Sequence, residues 1–112
     1  NKFGYLVFNT GNKSELSCGY CTLYGDMVCG FGVLSDIPKT LVYTLSKYIN
    51  KIYNKKLIPV SIIKRPPSAE LKFNQRDSDS LPPYDVLDPI LKLYIEDNLA
   101  NLRLVTQLLD RR

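Results

Sequence analysis

The rhythm of apolar and polar positions changes several times along the chain, and each change marks an element. Tyr5-Leu6-Val7-Phe8 is a continuous apolar run opening from Gly4 and closing at Thr10-Gly11, the pattern of a strand buried on both faces of a parallel sheet. Such a strand needs parallel neighbours, and the chain offers few: residues 31–34 are short and glycine-interrupted, and 58–63 carry Pro59. The expectation is the C-terminal part of an α/β domain whose earlier strands lie outside these residues. Residues 12–20 are expected to start a helix, with Asn12 as cap and Glu15 three residues on, the spacing of a capping box. From 23 to 35, Gly25, Gly30 and Gly32 predict an irregular loop ending in a short strand. Helical character is clearest over 38–53, where Leu41, Val42, Leu45, Tyr48, Ile49, Ile52 and Tyr53 share one face. Asp36 is the expected cap, with Pro38 in the first turn. Residues 86–95 and 99–109 read as two further helices, Asp88-Pro89 either starting the first or kinking it. No internal repeat is visible.

Between the second and third of these helices the pattern stops. Residues 65–85, Arg-Pro-Pro-Ser-Ala-Glu-Leu-Lys-Phe-Asn-Gln-Arg-Asp-Ser-Asp-Ser-Leu-Pro-Pro-Tyr-Asp, are polar, have prolines near both ends and contain almost nothing apolar. A run this long without periodicity is a poor core element and reads as a mobile, functional loop. Asp77 and Asp79, alternating with serines, read as solvated rather than metal-binding.

Composition narrows the functional classes. A chain of 112 residues with 45% apolar and 23% charged residues is at most one ordinary globular domain. The net charge of +4 favours anionic partners such as phosphates, yet no run of Lys and Arg exceeds two residues, which argues against nucleic acid. No apolar stretch approaches the roughly 20 residues that span a bilayer, and the start lacks a charged segment followed by an apolar one, so neither anchor nor signal peptide is expected. Three cysteines, an odd number, fit a reducing, cytoplasmic environment. Cys18-Gly-Tyr-Cys21 has a spacing used by zinc and thiol redox sites, but with Cys29 the only other cysteine and no histidine, a structural zinc would need a carboxylate or another chain.

Candidate chemistry gathers after the first strand. In open parallel sheets ligands bind beyond the carboxyl ends of the strands, where loops and helix N-termini meet. Thr10 to Glu15 occupies that place: a threonine hydroxyl can bond a nucleotide, Gly11 allows close backbone approach, and the helix N-terminus favours phosphate. A carboxylate amid phosphates is useful when it holds Mg²⁺ or a sugar or base donor. From the residues alone Glu15 reads first as a capping residue, Lys39 as a solvated lysine at a helix start, and Gly25-Asp26 as turn chemistry.

Three segments, in order, resemble the glutamine-dependent NAD⁺ synthetases: Thr10-Gly11-Asn12-Lys13-Ser14-Glu15 with Gly19-Tyr20-Cys21-Thr22-Leu23-Tyr24-Gly25-Asp26-Met27; Pro38-Lys39-Thr40-Leu41-Val42-Tyr43; and the 65–85 run, with its Arg-Pro-Pro-Ser-Ala-Glu-Leu and Leu-Pro-Pro-Tyr. The resemblance covers residues 1–97, and Cys29 and Pro89 depart from it. It implies a Rossmann-like parallel sheet of the ATP-pyrophosphatase (adenine nucleotide alpha hydrolase-like) type, present as its C-terminal part over 1–112. The implied activity is ATP- and Mg²⁺-dependent amidation of deamido-NAD⁺ through an adenylated intermediate, with ammonia drawn from glutamine. By residue, it implies that Thr10, Lys39 and Ser68 contact ATP, that Glu15, Thr22 and Asp26 line the deamido-NAD⁺ pocket, and that Glu15 also meets the metal. No nucleophilic side chain is required, because ATP supplies the leaving group and ammonia the nucleophile. The family's pyrophosphate-gripping Ser/Gly-rich loop, glutaminase domain and C-terminal basic motif are not among these residues, so this stretch alone is expected to be inactive. Homo-oligomers are implied, with no membrane or nucleic-acid partner. The competing readings are an ammonia-dependent synthetase and a non-catalytic nucleotide-binding or oligomerisation module that has lost its ATP loop.

Overall fold

A computed structural model describes residues 2–99, apart from Asp26 and Glu70. The helix expected over 99–109 lies outside the described residues save for its first position. Strand β1 (Phe8–Asn9) pairs in parallel with β2 (Phe31–Gly32), Phe8 opposite Phe31 and Asn9 opposite Gly32. Helices α1 (Lys13–Ser17), α2 (Lys39–Ile52), α3 (Val60–Lys64) and α4 (Tyr84–Leu91) follow in order. A 3₁₀ turn (Asp77–Asp79) interrupts the polar loop, and α4 runs on into a π-helical segment (Lys92–Glu96).

The parallel pairing matches the reading of the first apolar run, but its extent and burial do not. Only Phe8 and Asn9 are in the strand, and Tyr5, Leu6, Val7 and Phe8 are all exposed. The glycine-interrupted segment that looked too short is the partner strand. Phe8 is exposed and Asn9 buried, so one face of this short strand is covered and the other is open. The segment at 58–63 becomes α3, with Pro59 preceding its first turn, where a missing N–H costs nothing.

Local chemistry accounts for the helix ends. Asn12 and Glu15 form the expected capping box: Glu15 N–H donates to Asn12 Oδ1 at 3.0 Å, and Asn12 N–H donates to Glu15 Oε2 at 3.2 Å. At the other end of α1, Gly19 sits at φ +65°, Tyr20 N–H reaches the Glu15 carbonyl and Gly19 N–H the Leu16 carbonyl. These are the two bonds of a Schellman motif. Asn54, at φ +46°, closes α2 in the same way, through Lys55 N–H to Asn50 and Asn54 N–H to Lys51.

Two expectations about helices are corrected. Asp36 does not cap α2; Pro38 occupies the cap position with no side-chain bond of its own. Asp36 instead pairs with Lys13 at 3.1 Å, and Lys13 also reaches Glu96 at 2.6 Å. The free N–H groups of α2 are met from other helices: Lys39 N–H donates to Ser14 Oγ at 2.9 Å and Thr40 N–H to Asp88 Oδ2 at 2.9 Å. The last described helix begins at Tyr84, so Pro89 lies inside it and does not start it. Proline has no N–H for the carbonyl four residues back, and the helix widens to π geometry directly after that turn.

The packed centre is small and mostly polar. Among the described residues Leu87 and Leu93 are the buried hydrophobic ones, while Asn9, Asn12, Ser14, Asp77 and Asp88 are buried polar groups. α1, α2 and α4 meet around Ser14 and Asp88, which fixes the floor beneath the site.

Candidate functional site

Above the junction of α1, α2 and the polar loop lies an open cleft of about 490 Å³, lined among others by Thr10, Gly11, Glu15, Tyr20, Thr22, Lys39, Ser68 and Asp77. Five residues singled out from the sequence, Thr10, Glu15, Thr22, Lys39 and Ser68, thus face one space although they come from separate segments. Asp26 lies outside the described residues.

Each wall has a local cause. Thr10 and Gly11 follow β1, where Gly11 N–H donates to Asn9 Oδ1. A Cβ on Gly11 would stand 2.9 Å from that oxygen, so any larger residue there has to displace the Asn9 side chain. Glu15 is in the first turn of α1, with Oε2 committed to the capping box and Oε1 accepting from Lys39 Nζ at 2.7 Å. It is therefore both the cap and a cleft-lining group. Lys39, the first residue of α2, would oppose the helix dipole. Here Glu15 supplies the compensating anion, and both side chains are four-fifths buried. Lys39 Nζ also stands 5.5 Å from the centre of the Tyr84 ring, a cation–π contact.

The polar loop is folded onto this pair. Asp77, expected to be solvated, is 3% exposed. Its N–H donates to the Pro67 carbonyl at 2.8 Å, bringing Ser68 to the cleft, and its Oδ2 accepts from Tyr84 Oη–H at 2.6 Å. Oδ1 is buried with no hydrogen-bond partner. Gln75 accepts from Leu71 N–H and Lys72 N–H and donates to Tyr20 Oη at 3.2 Å. Asp79 stays exposed and accepts from Arg76 N–H at 2.8 Å.

Electrostatics follow from this packing. Burial raises the Tyr84 phenol far above its ordinary range, helped by its bond to Asp77 and by the nearby negative charges. Burial and the Asp77 charge likewise raise Tyr20. Both phenols are therefore neutral donors at physiological pH. Cys18, Cys21 and Cys29 are free thiols, and burial together with the Asp88 charge pushes the Cys18 thiol up, the opposite of what a reactive thiolate needs.

Sequence reasoning missed Tyr20, Asp77 and Tyr84 as parts of the site. The first and last sit inside the quoted motifs but carry no spacing signal, and Asp77 is surrounded by polar residues that give no hint of burial. Among the described residues no group of three or more His, Cys, Asp or Glu is placed to hold a metal, and no helix is long and apolar enough to cross a membrane.

Comparison with known proteins gives this cleft its relatives. The glutamine-dependent NAD(+) synthetase of Acinetobacter baylyi is 55% identical over 111 residues, 99% of this chain and 20% of that protein. A solved glutamine-dependent NAD+ synthetase from Acinetobacter baumannii, in complex with ADP, superposes with a TM-score of 0.55 at 50% identity, over 96% of this chain and 18% of the other. An NMN synthetase structure from Francisella tularensis matches with a TM-score of 0.69 at 29% identity, over 81% of this chain and 36% of the other. The chain spans about a fifth of the length of the curated relatives it matches. The profile of the NAD synthase family covers residues 1–109, from before β1 to beyond the π segment and so every wall of the cleft, and the chain belongs to that family.

Proposed function

We propose that the protein carrying this chain makes NAD⁺ from deamido-NAD⁺, with ATP activating the carboxylate and ammonia from glutamine forming the amide. The carrying observation is the convergence of Thr10, Glu15, Thr22, Lys39 and Ser68 on one cleft around a Glu15–Lys39 pair at 2.7 Å. The names of the curated relatives and the ADP bound in the Acinetobacter baumannii structure support it. We assign the fold to the Rossmann-like ATP-pyrophosphatase type, of which 1–112 is the C-terminal part; the parallel β1–β2 pair and the two structural matches support this assignment.

The chemistry divides between substrates and side chains. The carboxylate of deamido-NAD⁺ attacks the α-phosphorus of ATP, releasing pyrophosphate; ammonia then adds to the acyl carbon and AMP leaves with the C–O electron pair. The chain's contribution is to position these groups and stabilise their charge. Lys39 releases Glu15 and turns to the phosphates, still beside the neutral Tyr84 ring. Thr10 and Ser68 supply hydroxyls, and Thr22 lines the deamido-NAD⁺ side. The polar loop, pinned through Asp77 and Gln75, stands where it can exclude water from the acyl-adenylate, a mixed anhydride.

Mg²⁺ fits Glu15 as a single hard oxygen ligand, since this ion is usually held by one or two carboxylates, phosphates and water rather than by an all-protein cage. When bound it neutralises phosphate charge. Glu15 keeps its capping bond through Oε2 and has Oε1 to offer once Lys39 moves away.

The test is NAD⁺ formation by the intact protein from deamido-NAD⁺, ATP, Mg²⁺ and glutamine, compared with Lys39→Met. Turnover by the wild type, with a KM for ATP raised about tenfold or more in the variant, is expected for loss of a charged contact to phosphate. Turnover with an unchanged KM would place the ATP site elsewhere.

A further inference from the structure

Glu15 and Lys39 are not anchored by their own helices alone. Ser14, immediately before Glu15, is fully buried, and Thr40 immediately follows Lys39. The two are joined through one carboxylate, Asp88 of α4, which is 8% exposed. Its Oδ1 accepts from Ser14 Oγ–H at 2.5 Å; its Oδ2 accepts from Thr40 N–H at 2.9 Å and from Thr40 Oγ1–H at 2.7 Å. Ser14 Oγ in turn accepts from Lys39 N–H at 2.9 Å. The first two N–H groups of α2 are thus capped from α1 and α4. The carboxylate's charge suits a helix N-terminus, and bonds of this length to an ionised acceptor are among the stronger ones in proteins.

We propose that Asp88 is a positioning residue for the ATP site: by clamping Ser14 to Thr40 it sets the separation and direction of the Glu15 and Lys39 side chains that stand next to them. This inference rests on the functional reading above, in which Lys39 meets the ATP phosphates. Asp88 touches no cleft-lining side chain in the set assigned to substrate, so its effect on catalysis runs through the two backbones it ties together. A shift of about 1 Å in a charged group is enough to cost a large factor in rate.

The test uses the intact protein and reads KM for ATP, which does not depend on the fraction of molecules folded, alongside Vmax and the melting temperature. Asp88→Ala is expected to raise KM for ATP by about tenfold, and Asp88→Asn by less, because the amide still accepts from Thr40 while its NH₂ faces Ser14 Oγ. Thr40→Val is expected to raise KM and Thr40→Ser to restore it, which keeps the test open if Asp88→Ala does not fold. In a Lys39→Met background Asp88→Asn should add nothing further to KM. Variants that lower Vmax and melting temperature with KM intact would overturn the proposal, as would an Asp88→Asn effect that persists undiminished without Lys39. If Lys39→Met itself leaves KM for ATP unchanged, the functional reading fails first and the positioning role with it.

Discussion

The Tyr84 hydroxyl donates to a carboxylate that is 3% exposed, reaching Asp77 Oδ2 at 2.6 Å while Oδ1 has no partner. Removing it with Tyr84→Phe takes a short bond from a buried carboxylate whose other oxygen is already unpartnered, a change expected to cost about 1–3 kcal/mol. The same residue sets an alkaline limit. Its phenol is neutral in the folded protein well above the usual range, whereas in the unfolded chain it ionises near pH ~10. Above that pH the unfolded state binds fewer protons than the folded one, so stability falls as pH rises toward the folded value. Thermal unfolding of the intact protein between pH 8 and 11 should show this fall, with a shallower slope in Tyr84→Phe; equal slopes would remove Tyr84 from the account. At this scale the site was legible where a residue's partner lies close in sequence or within a motif. Glu15 announced its cap at Asn12, and Lys39 stood at an expected helix start within a quoted motif. Asp77 did not, because its burial is imposed by Tyr84 and Pro67, and a polar neighbourhood in sequence says nothing about either.

Among the elements, α1 has five residues, too few to be stable alone, and it depends on its ends. Gly19 at φ +65° closes the helix and directs Tyr20 toward Gln75 of the loop. No atom stands within 4 Å of a Cβ built there, so the strain of Gly19→Ala is purely conformational. About 1 kcal/mol of destabilisation is expected, together with faster amide hydrogen exchange over α1 and at Gln75 measured on the intact protein. Unchanged exchange at Gln75 would show that the loop does not lean on this turn. The capping box at Asn12 and the long apolar face of α2 were readable in advance, whereas the stop at Gly19, inside the expected span, was not read. What was not readable was any end completed by another helix. The cap of α2 comes from Ser14 and Asp88, 25 and 48 residues away from their partners in the chain, and a nearby Asp36 with the right chemistry was taken up by Lys13 instead.

For the whole molecule, apolar burial falls short of what a free-standing domain shows. The accessible surface is 8991 Å², against about 6,300 Å² for a folded monomer of this mass, and the radius of gyration is 16.3 Å against about 13 Å for this length. Leu87 and Leu93 are buried, while Tyr5, Leu6, Val7 and Phe8 of the first apolar run and Leu41, Tyr48, Ile49 and Ile52 along the α2 face are exposed. The period of α2 marks which side of that helix is apolar; burial depends on what packs there, and periodicity carries no information about that. A chain whose apolar faces stay in water lacks the main favourable term in folding, and the small polar junction around Asp88 adds only a modest net amount per hydrogen bond. Residues 1–112 produced alone are therefore expected to bind 8-anilinonaphthalene-1-sulfonate, to melt broadly without a calorimetric peak, and to make no NAD⁺. The intact protein should melt cooperatively and leave the dye dark. A sharp transition in the isolated segment would show that the three-helix junction carries a core of its own, and the cleft could then be titrated with ATP in that segment directly.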